Sequence, residues 1–368
     1  MELSCQQADL LQALDLCGHA MQAKSPHMVL DSIYLRAQEG GEVTLTCTDL
    51  KLTITASVPA FFDGNADILL PKLFADIIRR LPDGEVRITI SSTLLVTIRC
   101  QSIEMTVQGM ITEGYPAVAA PIEGAGSIVI KSGTLKNMIR QTSFAVSQDE
   151  MRQILTGCLL ECEGDTATMV SLDNFRMAIR KEKLIKGTDK PVKLVIPGKY
   201  LSEIGKILSD TQDEITISYT STQVYMAFAG AKILVRLLDG NYMNYKQIIP
   251  QNNAISVRME RSSLLRCVER AMLVALGGKT NLIKMELKLG EITITSNSDI
   301  SNIHEVIEAQ VEGGEMTTAF NVRYVYDVLR NLDDEYIYLR FNTAITPCVM
   351  TPSEGDAFTY LLMPVRFH

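Results

Sequence analysis

One acid and one base in this chain have the types and spacing for chemistry: Asp173 and Arg176, within Ser171-Leu172-Asp173-Asn174-Phe175-Arg176-Met177. A carboxylate beside a guanidinium can be held ionised as a general base, or it can lock a turn through a charge-assisted hydrogen bond. The turn is the better-supported reading, because Asp49 and Asp299 recur at comparable places in the chain. Acid–base work would also need a partner nearby. The four histidines, His19, His27, His304 and His368, stand isolated, with no pair at metal-ligand spacing. The eight cysteines are scattered and none forms a Cys-x-x-Cys pair. Cys158 and Cys162 flank strand-like Leu159-Leu160-Glu161, which puts both on one face with no histidine to complete a metal site. Buried free thiols in a reducing compartment are the expectation. The chain has no Gly-x-Gly-x-x-Gly or Walker-type loop and no Gly-x-Ser-x-Gly elbow. No catalytic residue, metal site or cofactor is expected.

The informative charges are basic. The net charge of −8 argues against nucleic acid when taken as a sum. Five helix-like segments, 71–81, 133–146, 198–208, 262–275 and 321–332, reverse that balance locally. They hold Lys72, Arg79, Arg80, Lys136, Arg140, Lys199, Lys206, Arg266, Arg270, Arg323 and Arg330 against only Asp76, Glu203, Glu269 and Asp327. Helices gathered on one side would make a basic surface within an acidic protein. Surface helices also carry Lys and Arg for solubility, so charge alone does not decide the matter. The first helix, over 7–17, runs against the pattern, with Asp9, Asp15 and no base; Lys24 follows only after it.

The elements that would position these residues repeat. A helical phrase at 8–14 has counterparts at 134–140 and 263–269. A second phrase at 71–78 returns at 198–205 and 322–329. The period is roughly 125 residues, the size of a domain. Strand-like alternation recurs at 42–54, 85–90, 94–99, 168–172, 214–219, 291–295 and 336–341. Connectors near 114–126 and 249–253 suggest an α+β chain of three similar domains, 1–122, 129–251 and 252–368. No apolar run approaches the ~18 residues of a membrane span. The N-terminus lacks the layout of a signal peptide, so a cytoplasmic protein with no membrane partner is expected.

Five stretches carry a family resemblance. They are 139–147, 154–157, 195–199, Arg236-Leu237-Leu238-Asp239-Gly240-Asn241-Tyr242 and Tyr360-Leu361-Leu362-Met363-Pro364-Val365-Arg366. Together they resemble the bacterial DNA polymerase III β subunit family, the replicative sliding clamps, in their Gram-positive style, over the full length. The resemblance implies the DNA-clamp fold: three repeated domains with antiparallel sheets and two helices each. It further implies a head-to-tail homodimeric ring with helices lining the hole, a processivity factor without catalysis. Its partners would be double-stranded DNA, encircled without sequence preference, the replicative polymerase, the clamp loader, and repair and mismatch-repair proteins. The eleven bases above, with Lys24 and Arg152, would face DNA. Edge strands near Ile103, Met105 and Val107 and near Ile303, with Leu273 and Val274, would form the dimer interface. A peptide-binding trough would use Leu155, Leu172, Asn174, Phe175, Arg176, Met177, Met243, Gln247 and Ile248. Its adjoining part would use Asn321, Tyr324, Ile345, Leu361, Met363, Val365 and Arg366.

The chain departs from the family pattern in the turn at 172–177, at Met243, where a proline is common, and at Met28, which also replaces a proline. The first two touch the trough. They keep open a specialised clamp paralogue with a different partner set, and an enzyme using Asp173 and Arg176 is the remote alternative.

Overall fold

The computed structural model describes residues 1–21, 28–39, 41–116, 124–278 and 280–366. Lys24 lies outside the described residues, as does most of the first connector. The chain divides into two compact units: Met1–Ser132 with Lys206–Leu237, and Gly133–Gly205 with Leu238–His368.

The first unit contains two antiparallel arrays. One runs β5–β1–β7–β8–β9, formed by Ala60–Asp63, Glu2–Gln6, Glu85–Ile90, Leu95–Cys100 and Ile103–Gln108. The other runs β10–β13–β14–β15–β4–β3–β2–β6, formed by Gly126–Lys131, Glu214–Tyr219, Gln223–Phe228, Ala231–Arg236, Leu52–Val58, Val43–Thr48, Ser32–Ala37 and Ala66–Pro71. Period-two sequences produce these strands directly. In β7, Val86 and Ile88 are buried while Glu85 and Arg87 are exposed. Helices α1 (Gln7–Gly18) and α2 (Lys72–Arg80) close the apolar face. α1 buries Leu10, Ala13, Leu14 and Cys17, and α2 buries Phe74, Ile77 and Ile78, the spacing of one helical stripe. The buried Gln7 amide donates to the Ile78 carbonyl at 2.8 Å, beside the Leu81 N–H that caps α2 at 3.2 Å, so the start of α1 is tied to the end of α2.

The second unit contains the run β20–β16–β22–β23–β24–β12, formed by Gln310–Glu312, Ile255–Glu260, Tyr336–Phe341, Cys348–Pro352, Phe358–Leu362 and Arg176–Pro197. β11 (Gly157–Leu172) pairs with β12 in a long hairpin whose last pair is Leu172 with Met177. Midway along it the register shifts around Gly164, and a Cβ at Gly187 would stand 1.8 Å from the Gly164 carbonyl oxygen. Only glycine allows that approach. A separate sheet runs β19–β18–β17–β21, formed by Asn302–Glu308, Glu291–Asn297, Leu282–Lys288 and Met316–Asn321. The helices here are α3 (Ser132–Thr142), α4 (Gly198–Ile207), α5 (Arg261–Ala275) and α6 (Val322–Asn331). α5 and α6 bury Leu264, Cys267, Val268, Ala271, Val322, Val325, Val328 and Leu329 in one core with β16–β18 and β22–β24.

The repeat read from the sequence is present in the topology. Every α-helix among the described residues starts at the residue after a strand ends, at Gln7, Lys72, Ser132, Gly198, Arg261 and Val322. The orders β1–β7–β8–β9, β10–β13–β14–β15 and β16–β22–β23–β24 correspond, as do β4–β3–β2–β6 and β19–β18–β17–β21. Inside the first unit the repeats join edge to edge, β15 to β4, with Val235 opposite Leu52. Inside the second, β24 joins β12, with Leu361 opposite Met177. β9 and β19, the counterparts of β15 and β4, end their sheets.

Candidate functional site

The residues expected to form a trough converge in the second unit. Leu155, Leu172, Met177 and Leu361 are buried together in a cluster with Leu159, Val170, Ile179, Val195 and Tyr245. They form its floor: β11, β12 and β24 bring Leu172, Met177 and Leu361 together, and Leu155 joins them from the 3₁₀ stretch Glu150–Thr156. Exposed apolar side chains flank that floor: Phe175 in the hairpin turn, Met243 and Ile248 around the short 3₁₀ turn Tyr245–Gln247, and Met363 and Val365 after β24. Ile345 is exposed in the loop after β22. Asn174, Gln247 and Arg366 supply exposed polar groups.

Backbone geometry fixes the turn. Asp173 Oδ1 accepts from the backbone N–H of Phe175 at 2.7 Å and of Arg176 at 2.9 Å. The Met363 N–H donates to the Phe175 carbonyl at 2.8 Å, and the Val365 N–H donates to Ala319 at 2.8 Å. The C-terminal segment is thereby tied to both the hairpin tip and β21. Asn321 caps α6 by accepting from the Arg323 N–H at 3.0 Å. The expected Asp173–Arg176 pair is present, with Nε 3.1 Å from Oδ2. Arg176 also donates from Nη1 to Asp327 at 2.7 Å, and its guanidinium carbon lies 4.5 Å from the Tyr324 ring centroid and 5.6 Å from that of Phe144. Phe175 stacks on Tyr324 with centroids 6.1 Å apart and planes at 22°. Burial, then the nearby Asp173 carboxylate, raise the Tyr324 phenol above its ordinary range, so it remains protonated at neutral pH. The sequence reading missed Asp327, Phe144 and Tyr360, whose ring stacks on Phe144 at 6.1 Å. Asp327 could have been found from its place three residues beyond Tyr324, on the same helical face.

A second network braces the same region. Glu161 accepts from the Tyr245 hydroxyl at 2.7 Å and pairs with Lys193 and Lys246, each at 3.3 Å. Burial opposes its ionisation, but these three donors outweigh it and hold its pKa below the ordinary value.

The basic residues lie on the helices as expected, but they are not equally available. Lys72, Lys199, Lys206, Arg266, Arg323 and Arg330 are exposed on α2, α4, α5 and α6, and Lys136 is half-buried on α3. Arg79 is paired with Asp15 at 2.8 Å and Asp76 at 3.4 Å, and Arg80 turns back to the Asp76 carbonyl. Arg270 is paired with Glu305. Arg152, in the 3₁₀ stretch Glu150–Thr156, donates to Asn174 at 3.1 Å. Arg140 is half-buried, donating to the Asn331 carbonyl at 2.8 Å and to Asp333. Of the expected interface residues, Ile103 and Met105 are exposed on β9 whereas Val107 is buried. On the other unit, Leu273 is 80% exposed, with Val274 and Ile303 half-buried. Among the described residues no group of three or more His, Cys, Asp or Glu could hold a metal ion, and all eight cysteines are free and buried.

Comparison with known proteins matches this architecture throughout. Residues 1–119, 129–244 and 246–366 match the N-terminal, central and C-terminal domains of the DNA polymerase III beta subunit. The chain is 32% identical over 379 residues to the beta sliding clamp of Bacillus subtilis, covering all of both chains. It is 29% identical to that of Staphylococcus epidermidis, covering all of this chain and 99% of the relative. The crystal structure of the Bacillus subtilis sliding clamp superposes with a TM-score of 0.95 at 31% identity, covering both chains fully. A putative DNA polymerase III beta subunit from Eubacterium rectale does so with a TM-score of 0.94 at 29% identity, again with full coverage. With three clamp domains in order along one chain and likeness over its whole length, the chain belongs to the DNA polymerase III β subunit family, the bacterial β sliding clamps, which are non-catalytic processivity factors.

Proposed function

We propose that two copies of this chain close head to tail into a ring around duplex DNA, with domains 1–122, 129–251 and 252–368 as its repeating parts. One observation carries the reading. Successive repeats join by the same pair of edges, β15 to β4 and β24 to β12, and β9 and β19 are the matching edges left without a mate. Open edges invite strand pairing, and a second copy supplies the complement to each. Ile103 and Met105 on one side, and Ile303, Leu273 and Val274 on the other, would furnish the apolar contacts. Lys72, Lys136, Lys199, Lys206, Arg266, Arg323 and Arg330 would give DNA a diffuse, sequence-independent attraction. The buried floor of Leu155, Leu172, Met177 and Leu361, with its exposed apolar flanks, suits short linear segments of the replicative polymerase, the clamp loader and repair proteins. This work belongs in the bacterial cytoplasm.

The test is topological. Loaded rings should persist on closed circular DNA and leave once a single cut linearises it. Equal retention on circular and linear DNA, or tight binding to a short linear duplex at physiological salt, overturns the proposal.

A further inference from the structure

Arg176 is one of two cations, with Arg366, that the family resemblance places among the peptide-contacting residues, yet its charge is already used. The side chain is 12% exposed and faces two carboxylates, Asp173 and Asp327. A ligand carboxylate arriving there meets a guanidinium that is neutralised in place. The neighbouring surface offers something different. Phe175 is 52% exposed and stacks on Tyr324, and the Tyr324 ring in turn rests against the Arg176 guanidinium. Tyr324 and Asp327 rise from one face of α6, so Asp327 pins Arg176 at the place where the guanidinium can meet that ring. The Asp327 carbonyl is itself fixed by the Asn331 side chain at 2.8 Å.

We infer that Asp327 is a positioning residue for peptide recognition: by holding Arg176 against Tyr324 it keeps the Phe175–Tyr324 ring pair assembled, and that pair selects partner segments bearing an aromatic side chain. The inference rests on the peptide-site reading above. Without Asp327, Arg176 retains one carboxylate, Asp173, from its own turn. Nothing on α6 then ties the guanidinium to Tyr324 except the ring contact, and the brace across the two elements is gone. An aromatic pair contributes a preference of about two- to tenfold over an aliphatic side chain of similar size.

The experiment titrates the full-length protein with two peptides, Gln-Leu-Ser-Leu-Phe and Gln-Leu-Ser-Leu-Leu, by calorimetry, with circular dichroism to check the fold. The wild type should prefer the Phe peptide. Asp327→Asn should bring that preference close to unity while its affinity for the Leu peptide stays within about twofold, below the range of the aromatic pair itself. A merely structural role would weaken both peptides in proportion, and that result, or a retained preference, overturns the inference while leaving the peptide site standing. Failure of the wild type to bind either peptide sinks the peptide site and the inference together. If Asp327→Asn does not fold, Phe175→Leu removes one ring and leaves the Asp327–Arg176 pair in place. It should show the same loss of preference, and a preference that survives it counts against the ring pair.

Discussion

Leu273→Asp should convert the proposed dimer to monomers without harming the fold of the single chain. Leu273 lies on the last turns of α5 with four-fifths of its surface open to solvent, beside half-buried Met272 and Val274. In a single chain the substitution removes little packing, so unfolding should shift by no more than about 0.5 kcal/mol. In the proposed ring the same side chain is covered. Burying a leucine contributes about 1.5–3 kcal/mol, and a head-to-tail pair holds two such interfaces, so separation into monomers loses about 3–6 kcal/mol. That is roughly two to four decades in the dissociation constant. An uncompensated carboxylate one turn beyond Arg270, a base already engaged by Glu305, adds further cost. Sedimentation velocity from nanomolar to tens of micromolar protein reads the constant directly, and thermal melting of the monomer checks the fold. A variant whose dimer constant stays within a few-fold of the parent refutes the placement of Leu273 in the interface. A variant that melts much earlier as a monomer refutes the claim that Leu273 does nothing for the single chain.

Three further outcomes follow from charges in the structure. Glu161 has a folded pKa below its ordinary value of 4.5, so its network stabilises the fold fully above that pH and is lost as pH falls through the lowered value; Glu161→Gln should flatten the acid limb of stability against pH, and an unchanged limb measured by denaturant titration rejects the assignment. Replacing Lys136, Lys199 and Arg266 together by Gln should weaken DNA binding and reduce the salt slope by about one for each phosphate that is no longer neutralised; Arg140→Gln should instead lower thermal stability, because Arg140 is bonded to Asn331 and Asp333, and a drop in salt slope from Arg140 alone equal to that of the triple variant would contradict this division.

The local grammar of the chain was readable, and its long-range pairings were not. Each helical phrase became a helix, because apolar residues three and four apart can be buried together only in that geometry. The stretches 85–90, 214–219 and 336–341 became the strands β7, β13 and β22 for the matching reason at period two. The turn at 172–177 formed its expected ion pair because both charges lie within the turn itself. Arg140 read as a surface base because its partner Asp333 is 193 residues away, and only the fold brings the two together. Leu155, Leu172, Met177 and Leu361 read as trough residues, but not as its buried floor, because that depends on strand pairing that turns the last three inward and on the 3₁₀ stretch Glu150–Thr156 that brings Leu155 to them. Val107 shares one face of β9 with Ile103 and Met105, yet it alone of the three is buried, a difference that period-two spacing does not contain. Asp327 was counted only as one acid among the basic helices, because its importance depends on Arg176, which lies on β12, 151 residues away.

The two unmated edges have a consequence for assembly errors. A molecule with complementary ends is as much the repeat unit of a filament as half of a ring. Which product forms depends on whether the turn accumulated from joint to joint closes after two chains. In the proposed ring that turn would be set partly at the internal joints, β15 with β4 and β24 with β12, which are distinct from β9 and β19. A substitution that flattened an internal joint by a few degrees could leave the open edges themselves intact and still turn a closed pair into an open polymer. Such a variant would keep the proposed peptide site and its basic helices, and lose only the proposed ability to encircle DNA.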